Sequence, residues 1–139
     1  MDAAKDLFFR YDGSWFYMSR DGVDREYAAY NIPRSTEKLW LKELTTKKLA
    51  ALGDSGNWRV IHFLIHHADF AHLPEILAVS PVGKLWERCA FLEKLLKYLA
   101  ECRERTLFGE QVEEGYARVV SLAEVLLRYA DLSDRGLPH

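Results

Sequence analysis

Short aromatic-rich runs, separated by turn-forming residue pairs, make up the N-terminal part of the chain. Asp12-Gly13 and Asp21-Gly22 stand between these runs, and Asp-Gly pairs favour the left-handed backbone that tight hairpins need. Aromatic side chains suit a pleated, half-buried surface. The pattern predicts a three-stranded antiparallel meander within residues 1–33, with strands at 6–11, 14–19 and 23–31.

The apolar spacing changes after Pro33, where intervals of three and four residues become regular. Ser35 or Thr36 is placed to cap a first helix, and Ser80-Pro81 combines an N-cap with a proline at the first helical position. We therefore expect a helical turn at 74–79 and helices at 36–52, 57–72, 81–105 and 111–130.

These elements predict a single α+β domain over residues 1–132, a size that fits one domain. Three strands need a cover, which a four-helix bundle-like region at 34–132 is expected to provide. Residues 133–139 lack periodicity and are expected to form a frayed tail.

Charge and hydropathy limit the classes of partner. The chain has 19 basic and 21 acidic residues, with a net charge of -2 and no basic stripe, so we expect no binding to duplex nucleic acid. No apolar run approaches the roughly 20 residues of a membrane-spanning helix, so we expect no membrane association.

Cys89 and Cys102 lie on one predicted helix about 20 Å apart, too far for a disulfide. Buried, reduced thiols and a cytoplasmic location are expected.

The stretch HFLIHHADFAH, residues 62–72, carries the most reactive chemistry in the chain. On a continuous helix, His62, His66 and Asp69 share one narrow stripe. Two histidines at this spacing can chelate a transition ion, and Asp69 could be a third ligand or could orient one. This predicts a site for zinc or another divalent transition metal, whose bound water would serve a metal-dependent hydrolase.

The favoured interpretation of the same stretch is structural, because such histidine spacings are common. The stripe would then be the polar edge of a buried helix, facing solvent or a partner, with His67 hydrogen-bonded in the core. A surface that responds to pH is a third interpretation, since histidine titrates near neutral pH.

The aromatic residues of the first 30 positions indicate a recognition surface. Successive side chains of a strand point to opposite faces, so consecutive aromatics at 15–17 place rings on both faces of the predicted sheet. Exposed Tyr and Trp give large contact areas at low entropic cost. We predict partner contacts by Trp15, Tyr17, Tyr27 and Tyr30; alternatively, these rings are core or are buried in a dimer.

The leading functional hypothesis is a small non-enzymatic protein-binding module without a cofactor, of the inhibitor, adaptor or neutralising type. The aromatic meander and the near-neutral charge favour it. The alternative is the metal-dependent enzyme using His62, His66 and Asp69. A third hypothesis is a homodimer in which the predicted helices at 81–105 and 111–130 share an interface.

Overall fold

The computed structural model of the protein describes the backbone of residues 2–134 and the side chains of residues 2–128. This part of the chain contains eight helices and no strand. It divides into two compact units, the first ending at Lys48 and the second beginning at Leu49. The helices are α1 (Asp2–Arg10), α2 (Trp15–Arg20), α3 (Asp24–Ala28), α4 (Arg34–Ala50), α5 (Trp58–His66), α6 (Leu73–Leu77), α7 (Leu85–Glu104) and α8 (Gly109–Asp134).

The prediction of an α+β fold with an N-terminal meander is wrong, and the two Asp-Gly pairs explain why. Asp12, Gly13 and Gly22 do adopt left-handed conformations, with φ of 54°, 64° and 78°, but they end helices instead of joining strands. The amide of Gly13 donates to the carbonyl of Phe8 at 2.8 Å, and that of Val23 donates to Met18 at 2.9 Å. Both bonds span five residues, as in the motif that commonly closes a helix.

An aromatic core forms within the first unit. Phe8 of α1 is buried, and its ring lies 5.6 Å from that of Trp40 on α4 and 6.3 Å from that of Tyr27 on α3. Met18 of α2 is also buried. A side chain at position 13 would place its Cβ 2.8 Å from the Phe8 ring, so glycine is needed there for space as well as for its backbone. Tyr27, which was predicted to contact a partner from a sheet surface, thus belongs to the core of a helical unit.

The second unit is built around α7, which packs against both α5 and α8. Buried side chains of α5, α7 and α8 form the centre of this unit: Ile61, Leu64, Phe91, Leu95, Tyr98, Leu99, Cys102 and Val112. Gly115 of α8 lies close to Leu99 of α7. Cys102 is buried as expected, whereas Cys89 is exposed and that expectation is wrong.

Helices occupy the regions where the apolar spacing predicted them, although their ends differ. The helix predicted at 57–72 ends at His66, and the one predicted from Pro81 begins at Leu85. Of the predicted frayed tail, Ser133 and Asp134 belong to α8, and residues 135–139 lie outside the described part.

No helix within residues 2–134 is both long enough and apolar enough to cross a membrane.

Candidate functional site

Two neighbouring rings at the start of α2 are strongly exposed. Trp15 is 56% exposed and Phe16 is 65% exposed, and we call them the α2 aromatic pair. The helix begins here because the buried Ser14 caps it, its hydroxyl accepting a hydrogen bond from the Tyr17 amide at 3.2 Å. Met18 is buried and anchors the other side of the helix. The α2 aromatic pair therefore stands on a short, locally fixed helix.

An arginine and a third ring extend this surface. The Tyr17 ring meets that of Phe16 edge to face, with 5.7 Å between the ring centroids. The Arg20 guanidinium lies 5.1 Å from the centroid of the Tyr17 ring and pairs with Asp21 at 3.0 Å. A cation at this distance is attracted by the ring face, so the two side chains hold each other in place.

The structure separates the four predicted contact residues. Trp15 and Tyr30 are exposed, Tyr17 is half-buried, and Tyr27 is buried in the core of the first unit. The Tyr27 hydroxyl donates to Glu37 at 2.6 Å, and burial, reinforced by this carboxylate, raises the pKa of Tyr27 above its usual value. Phe16 was missed, because strand alternation assigns neighbouring residues to opposite faces.

The histidine stretch does not form one continuous helical stripe. His62 and His66 lie on α5, but the helix closes at His67 and the backbone turns left-handed at Ala68, with φ of 52°. The amide of Asp69 donates back to the Leu64 carbonyl at 2.8 Å, which completes the same kind of helix end as in the first unit. Asp69 therefore belongs to the following loop.

The carboxylate of Asp69 contacts His72 and Ala71, whereas the sequence placed it beside His62 and His66. It lies 3.1 Å from Nε2 of His72 and accepts from the Ala71 amide at 3.4 Å. Within the described residues, no group of three or more His, Cys, Asp or Glu side chains is arranged to hold a metal ion. The zinc or transition-metal site at His62, His66 and Asp69 stays a prediction, and the geometry of the loop does not support it.

A shallow pocket of about 430 Å³ lies beside this loop. Its walls come from two helix ends: residues 68–71 after α5, and Arg105, Leu107 and Phe108 after α7. Ala68, Thr106 and Phe108 in these segments all have left-handed backbones. The Arg105 guanidinium covers the Phe70 ring at 4.3 Å and also pairs with Glu101. The polar side chains that line the pocket are thus engaged by neighbouring groups, and the contact of Arg105 with the Phe70 ring joins the two segments.

Tyr98 ties the first of these loops to α7. Its hydroxyl donates to the Asp69 carbonyl at 2.9 Å and accepts from the His72 amide at 3.0 Å. Burial raises the pKa of Tyr98 above its usual value, so the hydroxyl keeps the proton that it donates. The α2 aromatic pair and this braced pocket are the two candidate features that bear on the predicted sites.

Comparison of the chain with protein families, with curated proteins and with solved structures found no match.

Proposed function

We propose that the chain is a non-enzymatic protein-binding module that contacts another protein through the α2 aromatic pair. The observation that carries the proposal is the exposure of Trp15 and Phe16, more than half of each side chain, side by side on one helix. The few residues that dominate the binding energy of protein interfaces are enriched in Trp, Tyr and Arg. Tyr17 and Arg20 add a tyrosine and an arginine next to the α2 aromatic pair. An inhibitor, adaptor or neutralising partner would use such a surface.

The surface is organised before binding, which favours tight association. Ser14 caps α2, Met18 is buried beneath it, and the turn at Gly22 closes it. Because these contacts already fix the helix, little conformational freedom of the backbone is lost when a partner binds. The two free cysteines fit a reducing compartment, and we place the module in the cytoplasm as part of the same proposal.

Replacing Trp15 and Phe16 together by serine is expected to weaken partner binding at least about tenfold, because hot-spot aromatics commonly contribute more than 1.4 kcal/mol. The measurement is a quantitative pull-down with tagged wild-type protein, followed by titration of the protein recovered. Leu39→Ser is the matched control, since Leu39 is 68% exposed on α4 of the same unit.

The control variant should bind like the wild type, and all three proteins should have the same helical circular dichroism. Equal binding by the double variant, or an equal loss with Leu39→Ser, would show that the pair is not the contact surface. Unfolding of the double variant would show that the rings are structural, which also contradicts the proposal.

A further inference from the structure

Helix α8 carries two apolar stripes. Val112, Val119 and Leu126 form the first, which is buried within the second unit. The second follows spacings of four, three and four residues and consists of Tyr116, Val120, Ala123 and Leu127. Val120 is 58% exposed and Leu127 is 69% exposed. Alternating spacings of three and four residues are typical of a helix that packs against another helix.

An apolar groove lies beside the second stripe, between α8 and α7. It has a volume of about 250 Å³ and is lined by side chains of both helices, namely Leu85, Cys89, Ala123, Leu126 and Leu127. The two helices are antiparallel: Arg103 near the end of α7 pairs with Glu113 near the start of α8 at 2.7 Å, and Leu85 at the start of α7 lies beside Leu127 further along α8. Ala123 is the small residue of the stripe, so the groove is open there. The protruding Leu127 lies one turn further along.

We propose that this α7/α8 face binds the same face of a second copy of the chain. A twofold interface requires that each surface contain both halves of every contact. Leu127 is a knob and the groove at Ala123 is a hole, about 6 Å apart along the helix. In an antiparallel pairing of two α8 helices, centred between these positions, Leu127 of each copy enters the groove at Ala123 of the other.

The charges along the edge of the stripe favour a second copy over a different protein. Glu124 and Arg128 are exposed, have opposite signs and lie four residues apart on one side of the stripe. The same twofold brings Glu124 of each copy beside Arg128 of the other. A partner helix with a single sign of charge along its edge would repel one of the two residues, whereas self-association pairs both.

Sedimentation velocity of the full chain tests this proposal. At about 100 μM, well above a micromolar dissociation constant, the wild type is expected to sediment with twice the mass of the 16.1 kDa chain. Leu127→Glu should raise the dissociation constant at least about tenfold, because it buries a charge in the seam, and dilution of both proteins from about 100 μM to about 1 μM measures that difference. Val125→Glu is the matched control: Val125 is 55% exposed on the same helix, about 200° around it from Leu127, and its variant should remain dimeric.

A charge exchange tests the identity of the partner without disturbing the core. Glu124→Arg alone should weaken the dimer, and the double variant Glu124→Arg with Arg128→Glu should restore it. A monomeric wild type at this concentration overturns the proposal. The α7/α8 face would then be a binding surface for a different protein. It is equally overturned if Val125→Glu dissociates the dimer as strongly as Leu127→Glu, or if the double exchange fails to rescue. Because the exchanged residues are exposed, these results hold even if Leu127→Glu unfolds.

Discussion

Asn57→Ala is expected to lower the free energy of unfolding by about 3–5 kcal/mol, because three backbone groups lose their partner at once. Asn57 is 2% exposed. Its side-chain amide donates to the Leu52 carbonyl at 2.7 Å and to the Ser80 carbonyl at 3.0 Å, and its oxygen accepts from the Val82 amide at 3.3 Å. One side chain thus joins the chain before α5 to the loop before α7.

The size of the loss follows from the cost of leaving polar groups buried without a partner. Each such backbone group costs about 1–3 kcal/mol, and those reached by water cost least. Urea unfolding followed by circular dichroism measures the difference. A loss below about 1 kcal/mol would mean that water replaces the amide, since ordinary surface substitutions change stability by less than that.

Asn57→Asp separates the hydrogen bonds from the packing, because the two side chains have nearly the same shape. The carboxylate still accepts from the Val82 amide, but it points an anionic oxygen at the Leu52 and Ser80 carbonyls. We expect a greater loss at pH 7 than for Asn57→Ala. Burial beside two carbonyl oxygens disfavours the charged form and raises the folded-state pKa of the new carboxyl above the usual value of about 3.9.

The sign of the pH dependence follows from that raised pKa. The part of the Asn57→Asp penalty that comes from the charge is present in full above the folded-state pKa and disappears below the unfolded-state pKa of about 3.9, where the neutral carboxyl still offers one donor fewer than the amide. The difference in stability from the wild type should therefore shrink as the pH falls from 7 towards 4. A difference that is constant or grows over this range would contradict the assignment of the two carbonyls as the groups that face position 57.

The apolar periodicity predicts the longer helices correctly, whereas the turn-forming Asp-Gly pairs suggest strands where the chain forms short helices. The spacing of apolar residues predicts helices close to α4, α7 and α8, since each is long enough to show a repeat. The six-residue α2 and five-residue α3 are too short for that. Asp-Gly pairs close helices as well as join strands, so the sequence at residues 12–13 and 21–22 does not distinguish a helix end from a hairpin.

Helix ends without glycine caused the error at the histidine stretch. Ala68 and Thr106 occupy the left-handed position after α5 and α7, with φ of 52° and 57°, where glycine is usual. A non-glycine residue in this conformation has no sequence signal. The sequence pattern therefore predicts a helix that continues through Asp69, and with it a stripe that joins Asp69 to His62 and His66. The buried Asn57 is hidden for a related reason, because its loop, GDSGN, has the composition of an exposed turn.

Tyr98→Phe is expected to lower the free energy of unfolding by about 2–4 kcal/mol through the loss of a single oxygen atom. Tyr98 is fully buried, so its ring must stay in place when only the hydroxyl is removed. The Asp69 carbonyl and the His72 amide then both lose their hydrogen bond. Phenylalanine creates no large cavity, and the cost is therefore that of two polar groups and not of packing.

Hydrogen exchange distinguishes a local brace from a general loss of stability. Because Tyr98 holds the loop after α5, the Asp69 amide, which donates to the Leu64 carbonyl and not to Tyr98, should lose protection in Tyr98→Phe by a larger factor than the amides within α8. Cys102 offers only a weak second tie, its thiol lying 3.9 Å from the Phe70 carbonyl, so it cannot replace the hydroxyl. Equal loss of protection in α8 and at Asp69 would mean that the loop opens only when the whole unit unfolds, and the hydroxyl would then stabilise the unit rather than the loop alone.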